Sequence, residues 1–248
     1  MGAAAKPKGA GMSLKAHLKR GVGRGLGREL LEKLTEYAIA EREPAVSLAA
    51  AETIHPVGSG WENIIERGRE TLWQRTLERI ETPDLLLLEF GVWKGESTRF
   101  FVKLNTSPDS RFYGFDSFEG LPEDWRGMQA ERFDVGGNLP RIDDDRVKFV
   151  KGWFRDSLPP IMDELEQAAA GRALVVHFDA DLYSSTLYLL FKLGERFKRY
   201  HFIFDEFSGH ETRALFNYIQ ATGAEAEFFY RLDWEGWPQV VSGELRLP

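Results

Sequence analysis

The sequence predicts an α/β protein. Its expected form is a Rossmann-like, mostly parallel seven-stranded sheet with an antiparallel C-terminal strand, helices on both faces and a helical N-terminal extension. Three observations predict it. From residue 84 onward, short apolar runs alternate with amphipathic stretches of helix length, the signature of successive β-α-β units. Most of these runs end in glycines or acids, as strands do when their carboxyl ends border a ligand crevice. The last two runs follow one another with only a short turn between them, which makes an antiparallel strand at the end of the sheet.

The elements follow in order. LLLLEF (85–90) is a continuous apolar run before a glycine turn, as in a strand buried on both faces. A helix follows from about Glu96 to Leu104. RFYGFD (111–116) and VKFVKG (147–152) are the next strands, the second leading into a helix from about Asp156 to Ala170. ALVVHFD (173–179) precedes a helix from Ser184 to about Phe197, and HFIFDEF (201–207) precedes one from Glu211 to about Thr222. AEFFYRL (226–232) and QVVSGELRL (239–247) close the chain.

Upstream the pattern differs. Residues 1–25 are rich in Gly, Ala and Lys and poor in large apolar side chains, so they bury too little to offset their ordering entropy. A loosely ordered tail is expected there, with a basic arm for an anionic partner as the rival reading. Residues 26–82 read as a helical extension or lid, and 83–248 as the ligand-binding domain. Leu26, Leu30, Leu31, Leu34 and Ala38 recur at helical spacing, as do Ile64, Ile65, Leu72, Leu77 and Ile80. Such faces pack against something, either the rest of the chain or a second copy in a homo-oligomer. Residues 45–60 between them are irregular, either a cover over a pocket or a connector.

Composition removes several classes. The 248 residues carry a net charge of −7, against the basic surface that nonspecific nucleic-acid binding needs. The absence of cysteine excludes disulfides, thiolate metal sites and cysteine nucleophiles. No apolar run approaches the ~20 residues that span a bilayer, and the N-terminus lacks an apolar signal region. A soluble, cytoplasmic protein without a membrane partner is expected.

Five motifs carry chemistry. The first is EFGVWKGES (89–97), where Gly91 and Gly95 let a ligand approach the backbone ahead of a helix N-terminus. Glu89, Phe90, Gly91, Val92, Gly95 and Ser97 are its candidate binding residues, and Glu89 can face a cationic amino group. A tight strand-to-helix turn is the plainer alternative. The second is DSFEGLP, with Asp116 at a strand end about 25 residues past the glycine loop, where a carboxylate accepts hydrogen bonds from a ribose diol. Ser117 adjoins it. The third is KGWFRDSLP (151–159), in which Gly152 and an aromatic, Trp153 or Phe154, can meet an adenine; either ring can equally be core. The fourth and fifth are Asp179-Ala180-Asp181 and Asp205-Glu206, at the ends of adjacent runs. Strand ends of a parallel sheet face one crevice, so these acids converge. An all-oxygen cluster suits Mg²⁺, although helix capping by some of them is a serious competitor. His210 is an alternative base or a capping residue.

Taken in order and spacing, EFGVWKGES, DSFEGLP, KGWFRDSLP and DADLYSS resemble the macrocin O-methyltransferase family over about residues 84 to 220. These are class I S-adenosylmethionine-dependent methyltransferases that include sugar O-methyltransferases of macrolide and aminocoumarin antibiotic tailoring. The resemblance implies S-adenosylmethionine as cofactor, Mg²⁺, and methylation of a hydroxyl on a sugar-containing small molecule. It places Glu89, Gly91 and Gly95 at the methionine end of the cofactor, Asp116 at the ribose and Gly152-Trp153 near the adenine. It makes Asp179, Asp205 and Glu206 the metal ligands, with Asp179 also bordering the cofactor, and Asp181 the general base ahead of His210. Two departures stand out. Asp205-Glu206 replaces the family's Asp-Asp pair, and Phe197-Lys198-Arg199-Tyr200 replaces its Gly-Gly turn.

Other functions fit less well. A nicotinamide oxidoreductase would need G-x-G-x-x-G, and a hydrolase of this fold G-x-S-x-G; both are absent. The non-enzyme alternative is a catalytically altered relative that binds cofactor or acts as a scaffold.

Overall fold

The computed structural model describes residues 62–63, 68–125, 127–207, 209–234 and 237–248. The expectations for the tail, the helix over 26–43 and the segment 45–60 lie outside these residues. So do Ile64 and Ile65.

Eight strands form one sheet: β1 (Glu62–Asn63), β2 (Leu85–Phe90), β3 (Arg111–Asp116), β4 (Val147–Lys151), β5 (Ala173–Phe178), β6 (Arg199–Phe204), β7 (Glu225–Trp234) and β8 (Trp237–Arg246). Their order is β1-β7-β8-β6-β5-β2-β3-β4. Strands β2 to β6 pair in parallel, while β8 runs antiparallel between β6 and β7. The seven expected strands are all present. The eighth, β1, is a two-residue addition that pairs with Tyr230 and Arg231.

Strand alternation divides the core. Leu86, Leu88 and Phe90 of β2 and Val176 and Phe178 of β5 face one side. There they meet α4 (Met162–Ala169), α5 (Tyr183–Gly194) and α6 (His210–Thr222). Leu85 and Leu87 face the other side with Phe112, Val175 and Ile203, packed by α1 (Arg69–Glu78) and α2 (Glu96–Leu104). All six residues of β2 are buried, which is why its sequence is a run rather than an alternation.

The helical pattern expected from residue 61 is a strand at Glu62–Asn63 and a helix only over Arg69–Glu78, the helix expected to reach Phe197 ends at Gly194, and two further boundaries near the site differ from expectation. The helix expected over 156–170 is broken into α3 (Phe154–Ser157), a 3₁₀ turn at Pro159–Ile161, and α4. Pro159 and Pro160 cause the break, because neither can donate to the helix ladder. The strand expected over 201–207 runs instead from Arg199 to Phe204, which leaves Asp205, Glu206 and Phe207 in the turn beyond it. Among the described residues no helix is long and apolar enough to cross a membrane.

Candidate functional site

Chain order reverses at β2: β3 lies on one side of it and β5 on the other. A crevice is expected outside the carboxyl ends at such a switch point. A cleft of about 460 Å³ opens there. Of the expected binding residues, Gly91, Asp116, Ser117, Gly152, Trp153 and Asp179 line it, together with Leu121, Arg155, Ser184 and Tyr188.

Gly91 is where strand β2 turns into the loop, at φ +99°, and a Cβ there would lie 1.9 Å from the backbone oxygen of Asp179. Only glycine allows the two strand ends to close so tightly. Three non-glycine residues around the cleft also adopt left-handed backbone: Trp93 (φ 50°), Phe118 (φ 58°) and Asp181 (φ 60°). Strained conformations of this kind collect at functional sites. Around Asp181 the Leu182 N–H donates to the Ala180 carbonyl at 2.6 Å, closing a three-residue turn that fixes the buried Asp181 side chain.

Asp116 has a task its sequence position did not reveal. Its Oδ2 accepts the N–H groups of Val92 and Trp93 at 2.8 and 2.7 Å, and its Oδ1 accepts that of Phe118 at 2.7 Å. The carboxylate thus ties the glycine loop to the end of β3. Of its roughly four acceptor positions, one is left for a ligand, enough for one hydroxyl of a diol rather than both. Ser117 is spent locally: its hydroxyl donates to the Gly120 carbonyl at 2.7 Å and accepts from the Glu119 N–H.

Glu89, Phe90, Val92 and Ser97 do not line the cleft. Alternation along β2 sends Phe90 into one core, stacked on Phe115, and Glu89 to the opposite face. The fully buried Glu89 carboxylate accepts the hydroxyls of Ser97 and Thr98, with His177 Nδ1 at 3.2 Å. It is buried and does not line the cleft. Val92 is buried, and Gly95 turns the chain into α2 at φ +74°. Phe154, the alternative aromatic, lines the cleft as well, while packing edge-on to Phe90 at the margin of the core.

His177, absent from the sequence-derived site, is the centre of a buried ionic chain. Glu89 pairs with it across β2 and β5, and Asp205, just past β6, lies on the same face. His177 Nε2 is 3.5 Å from Asp205 Oδ1, which also accepts Trp73 Nε1 at 3.2 Å. Arg69 Nη1 reaches Asp205 Oδ2 at 2.5 Å. Burial pulls the His177 pKa down, but its bonds to Asp205 and Glu89 outweigh that and lift it to about 10. The ring is therefore an imidazolium. Burial alone would raise the Asp205 carboxyl; His177 and Arg69 instead hold it below the usual range. The only advance signal was a histidine inside an apolar strand run.

Asp179 behaves oppositely. Burial, then the charges of Asp205 and Asp181, push its carboxyl well above the usual range. No hydrogen bond to that carboxyl forms among the described residues. Among those residues, donor atoms of His177, Asp179 and Asp205 lie within 4.8 Å of one another. Glu206 is not in that group: its Oε2 accepts Gln239 Nε2 at 2.6 Å, and its N–H donates to Glu211 Oε2 at 3.0 Å. His210 Nδ1 accepts the Tyr183 N–H at 3.3 Å, the capping arrangement at the start of α5.

Comparison with known proteins agrees with this topology. The profile of the macrocin-O-methyltransferase family (TylF) matches residues 63–237. The 8-demethyl-8-(2,3-dimethoxy-alpha-L-rhamnosyl)-tetracenomycin-C 4'-O-methyltransferase of Streptomyces olivaceus is 34% identical over 121 residues, which is 40% of this chain and 44% of that one. The mycinamicin III 3''-O-methyltransferase of Micromonospora griseorubida is 29% identical, over 42% of this chain and 47% of that one. The chain thus spans less than half the length of these relatives. Among solved structures, the O-methyltransferase NovP shares the fold with a TM-score of 0.52 at 22% identity, covering 73% of this chain and 80% of its own. With its profile matched through most of its length and its sheet ordered as above, the chain belongs to the macrocin-O-methyltransferase family.

Proposed function

We propose that the chain is an S-adenosylmethionine-dependent O-methyltransferase that acts on a hydroxyl of a sugar-containing small molecule. The observation that carries this reading is the cleft at the β2 switch point, lined by Gly91, Asp116, Gly152, Trp153 and Asp179. The relatives' names supply the acceptor class: each is named for O-methylation of a natural product, and one name specifies a rhamnosyl group.

When bound, the cofactor supplies a methyl group on a sulfonium. The chain's own residues do the rest. Gly91 lets the ends of β2 and β5 close into the cleft wall, Asp116 offers its one remaining acceptor position, and Gly152 and Trp153 form the wall for an adenine. Asp181, fixed by its turn and buried, takes the proton of the acceptor hydroxyl. Holding acceptor and cofactor in line is the main catalytic contribution. His210 is committed to capping α5, which places it behind Asp181 as a base.

A divalent ion fits the donor set on one condition. Asp179 and Asp205 present hard oxygen donors close together, with Glu206 adjacent, but Asp205 Oδ2 is held by Arg69. Asp179 and Asp205 would hold the ion once that oxygen is released, whereas Glu206, tied to Gln239, lies outside the donor group. Bound Mg²⁺ would lower the pKa of an acceptor hydroxyl.

Calorimetric titration with S-adenosylhomocysteine, in chelator and then with Mg²⁺ and candidate glycosides, tests the reading. Binding is expected under both conditions, and its absence from both would sink the proposal. The ion pair on Asp205 favours one alternative, a catalytically altered relative that binds cofactor without turnover. Transfer of a labelled methyl group to any glycoside eliminates it.

A further inference from the structure

We propose that Arg69 is the resident counter-cation of this acidic cluster, holding on Asp205 the place that an arriving divalent cation must take. The inference deepens the metal reading above and rests on it.

Asp205 has two oxygens in different situations. Oδ1 is fixed from inside the protein by Trp73 Nε1 at 3.2 Å and His177 Nε2 at 3.5 Å. His177 is fixed in turn by Glu89, which Ser97 and Thr98 hold. Among the described residues Oδ2 is held only by Arg69 Nη1, at 2.5 Å. The carboxylate is therefore locked in orientation through one oxygen and exchangeable at the other.

Arg69 is built to leave. Its side chain is 51% exposed, whereas that of Asp205 is 1% exposed. It is the first residue of α1, so its departure removes no helix hydrogen bond and opens no core cavity. Its guanidinium lies over the Trp73 ring, 5.3 Å from the centroid, and that indole keeps its own bond to Asp205 when the arginine swings out. An ion pair with one partner half in water is weak, so a divalent ion with two carboxylate ligands can displace it.

Arg69 also has a reason to be there. Burial works against its charge, but Asp205, Asp179 and Glu206 outweigh it and raise the guanidinium pKa further. Asp179 and Asp205 crowd one another and His177 is shared with Glu89, so Arg69 supplies the positive charge at Asp205 Oδ2. The arginine lets the protein fold with the cluster intact. A Mg²⁺ ion approaching Oδ2 would meet direct like-charge repulsion from the guanidinium, so binding of one disfavours the other.

The test uses Mn²⁺ as probe on the full chain, with binding read by calorimetry and by solvent-proton relaxation. Arg69→Met keeps the length of the side chain and removes its charge. The expected result is Mn²⁺ affinity at least about tenfold higher in Arg69→Met than in the native chain. Asp205→Asn should abolish the gain. In chelator Arg69→Met should melt below the native protein and recover with Mn²⁺, while the native protein is unmoved by chelator. Should Arg69→Met not fold, Arg69→Gln gives the same readout. Equal or weaker Mn²⁺ binding in the folded variant overturns the proposal. S-adenosylhomocysteine is titrated in parallel: if the native chain fails to bind it, the methyltransferase reading falls, whereas the Mn²⁺ comparison judges Arg69 alone.

Discussion

The two ends of the sheet handle buried acids in opposite ways. At the carboxyl ends of β5 and β6, Asp179 faces Asp205 and Asp181, and its carboxyl is pushed well above the usual range. Glu211, buried in α6 under the same cluster, is raised likewise, first by burial and then by Asp179. At the other end of β6, Glu244 of β8 is equally buried but is held by Arg199 and Arg246, and it lies below its usual range. The lesson is one of assignment. Glu244, matched by two arginines, is compensated within the fold and demands no further positive charge. Acids crowded against one another keep a demand for positive charge or protons, and such groups mark functional clefts.

The largest test of this contrast is His177. It carries the buried positive charge between Glu89 and Asp205. His177→Ala leaves two buried carboxylates without it, and removing one partner of a buried pair costs about 3–5 kcal/mol. Denaturant unfolding should show that loss. A loss under about 1 kcal/mol, the scale of an exposed pair, would mean that the chain is not the structural spine of the site. Gly91→Ala comes next. Its Cβ would strike the Asp179 carbonyl, and overpacking against backbone costs about 3 kcal/mol. S-adenosylhomocysteine binding should vanish with it; a variant that melts and binds like the native chain would remove Gly91 from the site.

Much of this was legible in the sequence, and the misses have physical causes. The strand spans 85–90 and 111–116 match because their interior positions are buried and largely apolar. The glycine loop and Asp116 were found because their spacing follows from the β-α-β unit. Glu89 was misplaced: its neighbours mark a strand end, but a continuous apolar run hides which side chains face which way, so the alternation that buries Glu89 opposite the cleft could not be read. Arg69 and Trp73 meet Asp205 across more than 130 residues of sequence, and no local pattern encodes such a contact. His177 stands in an apolar run that names neither of its partners, Glu89 of β2 and Asp205 just past β6.

Asp181→Asn probes the functional end of the comparison at smaller scale. Asparagine accepts left-handed backbone nearly as well as aspartate, so the turn at φ 60° survives and only the charge is lost. Turnover should fall about 100-fold, the lower range for loss of a general base, with S-adenosylhomocysteine affinity unchanged. Full turnover with both ligands bound would move the base elsewhere.

The smallest effect belongs to the matched end. Glu244→Gln removes a buried carboxylate, but Arg199 and Arg246, with side chains 69% and 48% exposed, remain in water when it goes. The cost is about 1 kcal/mol at neutral pH. Its pH dependence carries the sign. Burial raises the Glu244 carboxyl but the arginines lower it further, to below 4.5 in the folded protein. The unfolded chain therefore takes up the proton first as pH falls. The contribution of Glu244 is fully present above its unfolded value and disappears as pH falls through the folded one. Urea unfolding of native and Glu244→Gln proteins from pH 7 to pH 3 should show a gap that closes at the acid end. A gap that stays constant would mean that Glu244 contributes through packing rather than charge, and the distinction between the two ends of the sheet would lose its electrostatic basis.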